Sequence, residues 1–236
     1  MKRVITFSLW GNNPTYNIGA VQNAEQAIRI YPDFECWFYI HEPSVPKETV
    51  QKLRTFNHVT VILRSGDLNT EKPLMWRFEA IDDPEVEIMM SRDTDTRIWL
   101  REQLAVKEWI NSGKPFHIMR DHMNHGTQIL AGMFGTRKLP EMPSWHAVFD
   151  KVQQIGRDYD QTFLRNVVYP LVKDRAIIHA SFHKWEPHAQ AFPIPFCPEF
   201  KFVGEYVYAD ESRSHEHVNM IRDHVMGIQP RNWMKL

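Results

Sequence analysis

The stretch EIMMSRDTDTRIWL, residues 87–100, runs from an apolar segment straight into two aspartates separated by one threonine. VEIMMS (86–91), a short apolar run ended by polar residues, reads as a buried strand. IWLREQLAVKEWI (98–110) reads as a helix with Leu100, Leu104, Val106 and Ile110 directed mostly inward, and Gly113 supplies a C-cap signal. A strand that passes into a helix through Asp-x-Asp is one half of an α/β unit. The question it raises is whether Asp93 and Asp95 hold a metal or only start the helix.

The same alternation extends outward in both directions. Upstream, VITFSL (4–9), CWFYIH (36–41) and HVTVIL (58–63) read as strands. Between them, AVQNAEQAIRIY (20–31) places Val21, Ala24, Ala27, Ile28 and Tyr31 on one helical face. SVPKETVQKLRTF (44–56) opens with Ser44 as N-cap and Pro46 near the first turn, and LMWRFEAI (74–81) reads as a helix with Pro73 in its first turn. Strands alternating with amphipathic segments predict an α/β fold, a mostly parallel sheet flanked by helices. In such sheets ligands bind outside the carboxyl ends of the strands, which is where Asp93 and Asp95 fall.

Downstream, PFHIMRD (115–121) reads as extended and TQILAGMFG (127–135) mixes glycine with apolar residues. SWHAVFDKVQQI (144–155) and DQTFLRNVVYPLV (160–172) read as helices, with Pro170 breaking the second, and RAIIHASF (175–182) as a short strand. From about residue 186 the chain is proline-rich, then polar over YADESRSHEHVNMIRDH (208–224). With no internal repeat, the simplest division is one domain over 1–205 and a C-terminal tail, 206–236, packed on it.

Composition bounds the function. A chain of 236 residues, 43% hydrophobic and 12% aromatic, is globular in composition and can bury a full core. A net charge of −1 gives no global basic field for nucleic acid or an acidic membrane. Cys36 and Cys197 lie far apart and form no Cys-x-x-Cys, so they are expected as reduced thiols. No run approaches the roughly 20 apolar residues of a membrane span, and Gly11, Asn12 and Asn13 end the first apolar run too early for a signal peptide. A soluble, cytoplasmic protein is the expectation.

Each chemical motif carries two readings. Asp93 and Asp95 suit a helix start, where acids stabilise by tenths of a kcal/mol. They also project to one side of an extended chain, so both carboxylates can approach one hard cation, Mn²⁺ or Mg²⁺. MRDHMNHG (119–126) is either a solvated loop or a substrate-binding loop built on Arg120, Asp121, His122 and His125. Asp160 is a plain N-cap, or it and Gln161 recognise sugar hydroxyls, which need both donors and acceptors. His179 ends an apolar strand, where a lone histidine is usually a satisfied core residue. Arg77, within MWRF (75–78), is core by default or faces an anion such as a diphosphate.

The order of SRDTDTR (91–97), FHIMRDHMNHGTQILAGMFGTRK (116–138), DYDQTFLRNVVYPLV (158–172) and IIHASF (177–182) resembles the small GT-A-type glycosyltransferases typified by the first domain of a chlorella-virus multidomain glycosyltransferase. The order is also similar to the glycogenin-like retaining transferases. The resemblance implies a GT-A (Rossmann-like) fold, a UDP-sugar donor, a glycan or saccharide acceptor, and Mn²⁺ (or Mg²⁺) on Asp93 and Asp95 with His179 as a further ligand. It implies that LAGMFG (130–135), with Gly132, lies beside the donor sugar and that Asp160 and Gln161 hold its hydroxyls. Arg77 or Arg92 would add charge at the phosphates, Lys184 would contact them, and the segment WGNNPTYNIGA (10–20), with Tyr16 and Asn17, would cradle base and ribose. Asp121 or Asp160 would be the base of an inverting enzyme; the glycogenin-like order implies retention. Where that pattern continues into Gly-x-x-Lys-Pro-Trp, this chain has HASFHKWEP (179–187).

Two rivals stand beside this reading. A metal-dependent phosphoesterase would gather Asp93, Asp95, Asp121, His122 and His125 around two ions. A non-catalytic carbohydrate-binding module would bind glycan without metal.

Overall fold

Strands that are apolar on both parities can be buried only in a sheet covered on two faces, and the chain folds that way. The computed structural model describes residues 1–69, 72–139, 142, 144–149 and 158–228. Among the described residues seven strands form one sheet: β1 (Lys2–Leu9), β2 (Glu35–His41), β3 (Val59–Arg64), β4 (Val86–Ser91), β5 (Phe116–Arg120), β6 (Phe134–Arg137) and β7 (Ala176–Ala180), in the order β3-β2-β1-β4-β6-β5-β7. All neighbours are parallel except β6, which runs antiparallel to both β4 and β5. The expected α/β class with a mostly parallel sheet flanked by helices is therefore observed.

Alternation along the strands feeds two large cores, beside a smaller cluster of Ala105, Met119, Met133, Phe192 and Val203. Ile5, Phe7, Phe38, Ile40 and Met90 join Ala20, Ala24 and Ala27 of helix α1 (Pro14–Ile30), Leu53 of α2 (Lys47–Leu53), and Val106 and Trp109 of α4 (Leu100–Ser112). Val4, Trp37, Tyr39 and Met89 join Met75 and Trp76 of α3 (Pro73–Trp76), Trp145 of α5 (Trp145–Phe149) and Phe163 of α6 (Tyr159–Phe163). β6 escapes sequence reading because it is four residues long and carries Gly135. A Cβ at that glycine would come within 2.7 Å of the Trp109 ring, so the small residue is what lets the indole pack.

Several elements differ from expectation. α1 starts at Pro14, capped by Asn13, whose side chain accepts from the Thr15 amide. Its buried face is Ala20, Asn23, Ala24 and Ala27, while Ile28 is exposed. On α4 the buried face includes Arg101 and Glu102, and Leu100 is exposed; Gly113 does close the helix, at φ 67°. The helix expected over 74–81 is split into α3 and a 3-10 turn, Glu79–Asp82. Pro170 does not break its helix: α6 continues through a π-helical turn, Leu164–Val168, into α7 (Tyr169–Val172). The wider turn accommodates a residue that lacks an N–H and crowds the preceding carbonyls.

The helix expected over 144–155 is present as α5, and its second half lies outside the described residues. In the tail, α8 (His215–Val225) is capped by Ser214, whose side chain accepts from the His217 amide. Both cysteines are free, and burial pushes the Cys36 thiol up to about 12. Among the described residues, no helix is long and apolar enough to cross a membrane.

Candidate functional site

The strand order reverses between β1 and β4, and ligands of open α/β sheets bind at such a switch point, outside the carboxyl ends of the strands. A cleft of about 690 Å³ opens there, walled by Ser8, Leu9 and Trp10 from the end of β1 and by Asp93, Thr94 and Asp95 from the turn after β4. Tyr16 of α1, Leu68 after β3, Pro73, Leu74 and Arg77 from the α3 region, and Asp158 and Tyr159 at the start of α6 complete the lining.

Arg77 organises the charges. Its guanidinium is buried; Nη1 pairs with Asp93 Oδ1 and donates to the Arg92 carbonyl at 3.2 Å, and Nη2 pairs with Asp160 Oδ2 at 3.2 Å. Its own amide donates to Ser8 Oγ at 3.1 Å, which fixes the start of the side chain to β1. The other oxygen of Asp160 accepts from the Gln161 amide at 2.8 Å. Asp160 is the second residue of α6, whose cap position is Asp158, so its carboxylate is free to face Arg77 rather than close the helix end. Burial pushes its carboxyl up, against the pull of Arg77.

Asp95 points into the same cleft. Burial first, and then the negative charge of Asp93, push its carboxyl up to about 7. Three carboxylates, Asp93, Asp95 and Asp160, thus meet one guanidinium, leaving two negative charges uncompensated when all are ionised. That excess, on hard oxygen donors, fits a divalent cation.

The turn is held from behind by backbone contacts. Asn23 of α1 donates to the Thr96 carbonyl at 2.8 Å and accepts from the Ile98 amide at 3.1 Å. The Val207 amide donates to the Asp95 carbonyl at 2.8 Å, so the tail is hydrogen-bonded to the aspartate turn. A Cβ on Gly19 would overlap the Thr94 carbonyl, and one on Gly132 would overlap Asp93 Oδ2. Gln161, with its amide nitrogen donating to the Ile129 carbonyl at 2.9 Å and its oxygen accepting from the Ala131 amide at 3.0 Å, grips the segment that carries Gly132.

Asp93, Asp95, Asp160, Arg77, Tyr16 and Gly132 therefore converge, with Gln161 beside them. Other expected residues do not. His179 lies on β7, which β6 and β5 separate from β4; three strand spacings amount to roughly 14 Å. Its Nδ1 is 2.8 Å from His117 Nε2 and its Nε2 is 2.9 Å from Glu108 Oε2. Among the described residues no group of three or more His, Cys, Asp or Glu side chains is arranged to hold a metal.

Arg92 is buried on the far side of the turn, donating to Glu102 Oε1 at 2.8 Å and to the Ser91 and Phe134 carbonyls at 2.7 and 2.9 Å. Its charge is committed there rather than to phosphates. Asn17 holds the first turn together, donating to the Gly11 and Asn13 carbonyls at 3.2 and 2.9 Å. Lys184 is exposed after β7 and does not line the cleft.

Asp121 is fully buried, with Arg101 Nε and Nη2 each at 2.8 Å, Ser181 Oγ at 2.5 Å and the Val203 amide at 2.9 Å. Both oxygens are spent on tying α4, the residue after β7 and the C-terminal segment to the end of β5. The neighbouring histidines are also occupied: His125 Nδ1 accepts from the Asp121 and His122 amides at 3.0 and 3.1 Å, and His122 stacks on Phe202 with ring centroids 4.4 Å apart. The two-metal cluster expected of a phosphoesterase is not assembled.

Sequence reading gave no role to Asp158, Tyr159 and Asn23, and took Trp10 only as part of the 10–20 segment. Asn23 left a signal, a polar residue within the small-residue stripe Ala20, Ala24, Ala27. Tyr159 left none, because its hydroxyl accepts from the Leu74 amide at 3.0 Å across 85 residues.

No protein-family model and no curated protein matches the chain. Among solved structures, it is similar to a glycosyltransferase involved in the glycosylation of the major capsid of PBCV-1, at 14% identity and a TM-score of 0.48, over 76% of this chain and 82% of that one. It is similar to the galactosyltransferase LgtC, solved in complex with donor and acceptor sugar analogues, at 13% identity and a TM-score of 0.47, over 98% of both chains. A 4-diphosphocytidyl-2C-methyl-D-erythritol synthase from Anaerococcus prevotii is similar at 10% identity and a TM-score of 0.46, over 80% of this chain and 92% of that one.

Proposed function

We propose that the protein is a metal-dependent glycosyltransferase that takes a sugar from a UDP donor and passes it to a glycan or small acceptor. The observation that carries this reading is the excess of carboxylate over guanidinium in a cleft at the switch point of the sheet. Asp95 and Asp93 would hold Mn²⁺ or Mg²⁺, which commonly takes one or two protein carboxylates and fills its remaining positions with water and substrate phosphates. When bound, the ion would neutralise the diphosphate and stabilise it as leaving group.

The chain's own residues would do the rest. Arg77 holds Asp93 and Asp160 in fixed relation, and Gln161 sets the segment that brings Gly132 against Asp93. Trp10 and Tyr16 supply aromatic walls for a base, and Asp160, paired with Arg77 behind the cleft lining, is the acid that would meet the sugar hydroxyls. We read the outcome as retention. Asp121 spends both oxygens on other partners, and Asp160 is tied to a guanidinium, so neither is a free base of the kind inversion needs.

The test is thermal stabilisation by a panel of nucleotide sugars with and without Mn²⁺, in the wild type and in Asp95→Ala. A ligand that binds only the native state raises the melting temperature by linkage. The expected result is stabilisation by a UDP-sugar that requires Mn²⁺ and is absent in the variant. Stabilisation by a glycan alone, indifferent to metal and to Asp95, would replace this reading with the carbohydrate-binding module.

A further inference from the structure

The turn that carries the aspartates also lines a second cleft, of about 420 Å³, through Arg97, Ile98 and Trp99. The two clefts share no lining residue. Four cations, Arg29, Arg97, Lys201 and Arg213, meet two carboxylates there, Glu205 and Glu211. The carboxylates are already occupied: Arg213 Nε lies 2.7 Å from Glu205 Oε1, and Arg97 Nη2 lies 2.7 Å from Glu211 Oε1.

Arg29 and Lys201 remain exposed, with no ion pair among the described residues. Arg97, its side chain only 10% exposed, keeps a buried Nε without a hydrogen-bond partner, and so does Nη2 of Arg213. Both guanidinium groups line the cleft and carry donors that their ion pairs leave unmatched. Trp99 adds a flat apolar wall.

We propose that this cleft is a second anion site, for a phosphate-bearing ligand with a flat apolar body, and that its occupancy stiffens the aspartate turn. The connection is direct. Arg97 Nη1 donates to the Thr96 carbonyl at 2.9 Å, and Val207, which lines this cleft, donates to the Asp95 carbonyl at 2.8 Å. A ligand that fixes Arg97 and the segment at Val207 fixes two of the contacts that hold the turn, beside those of Asn23, and such coupling between sites is reciprocal.

The experiment uses phenyl phosphate with the full chain in chelator, where the uncompensated carboxylates of the first cleft repel anions. Calorimetry is expected to show saturable binding that weakens about three- to tenfold in Arg29→Ala and in Lys201→Ala, both exposed positions whose loss leaves the fold intact. Hydrogen exchange over residues 93–97 is expected to slow severalfold with the ligand in the wild type, and not in the double variant. Absence of saturable binding up to about 10 mM, or affinity unchanged in both variants, overturns the site. Binding without protection of the turn overturns the coupling.

Discussion

Gly132→Ala is the sharpest test of how the first cleft is built. The backbone at Gly132 lies outside the left-handed region, so alanine brings no conformational strain, and the perturbation is one methyl group. That methyl would overlap Asp93 Oδ2, sit 2.5 Å from its Cγ and 3.1 Å from its Oδ1. Carbon and oxygen need more than 3 Å, so the carboxylate must move by about 1 Å or more, or the 129–131 segment must leave Gln161. Overpacking of this kind costs about 1–3 kcal/mol, equivalent to a melting temperature lower by roughly 2–12 °C at this chain length. Metal–ligand distances tolerate about 0.2 Å, so if Asp93 holds Mn²⁺ as proposed, its displacement is expected to weaken that binding by about 10- to 100-fold. Calorimetric titration with Mn²⁺, beside thermal unfolding, reads both quantities. Wild-type Mn²⁺ affinity in a stably folded Gly132→Ala would refute the placement of Asp93 as a ligand supported by Gly132.

The remaining predictions separate structural from chemical roles. Asp121→Ala strands the buried Arg101 guanidinium and is expected to lower stability by about 3–5 kcal/mol while leaving donor binding within about threefold; a loss of turnover at unchanged melting temperature would make Asp121 a base after all. His122 is held down to about 4 by burial, so below its unfolded value near 6.5 the unfolded chain takes up a proton that the folded protein refuses. Its neutral form is fully accommodated above that value, and stability is lost as pH falls toward 4. Between pH 6.5 and 4 the stability of wild type relative to His122→Phe is therefore expected to fall by up to about 1.4 kcal/mol per pH unit, and parallel unfolding-versus-pH curves would refute this.

Chemistry within about ten residues was legible in the sequence. The strand ending at Ser91, the aspartates just past it and the closure of α4 at Gly113 rest on periodicity and turn chemistry, which neighbouring residues decide among themselves. The same local logic located the other parallel strands, because a sheet buried on both faces demands continuous apolar runs. Which charge meets which was decided only by the tertiary structure. Arg101 and Glu102 read as polar helix positions, yet they are buried because Asp121 and Arg92, brought in by β5 and by the turn after β4, neutralise them. His179 falls beside His117 and Glu108 rather than the aspartates because strand order, a product of long-range pairing, inserts β6 and β5 between them. Arg77 could be suspected of seeking an anion; that its anions are Asp93 and Asp160, 16 and 83 residues away, follows from how the sheet and α6 close around it. Local patterns carry no information about such pairings, since an ion pair depends on distance in space and not on separation along the chain.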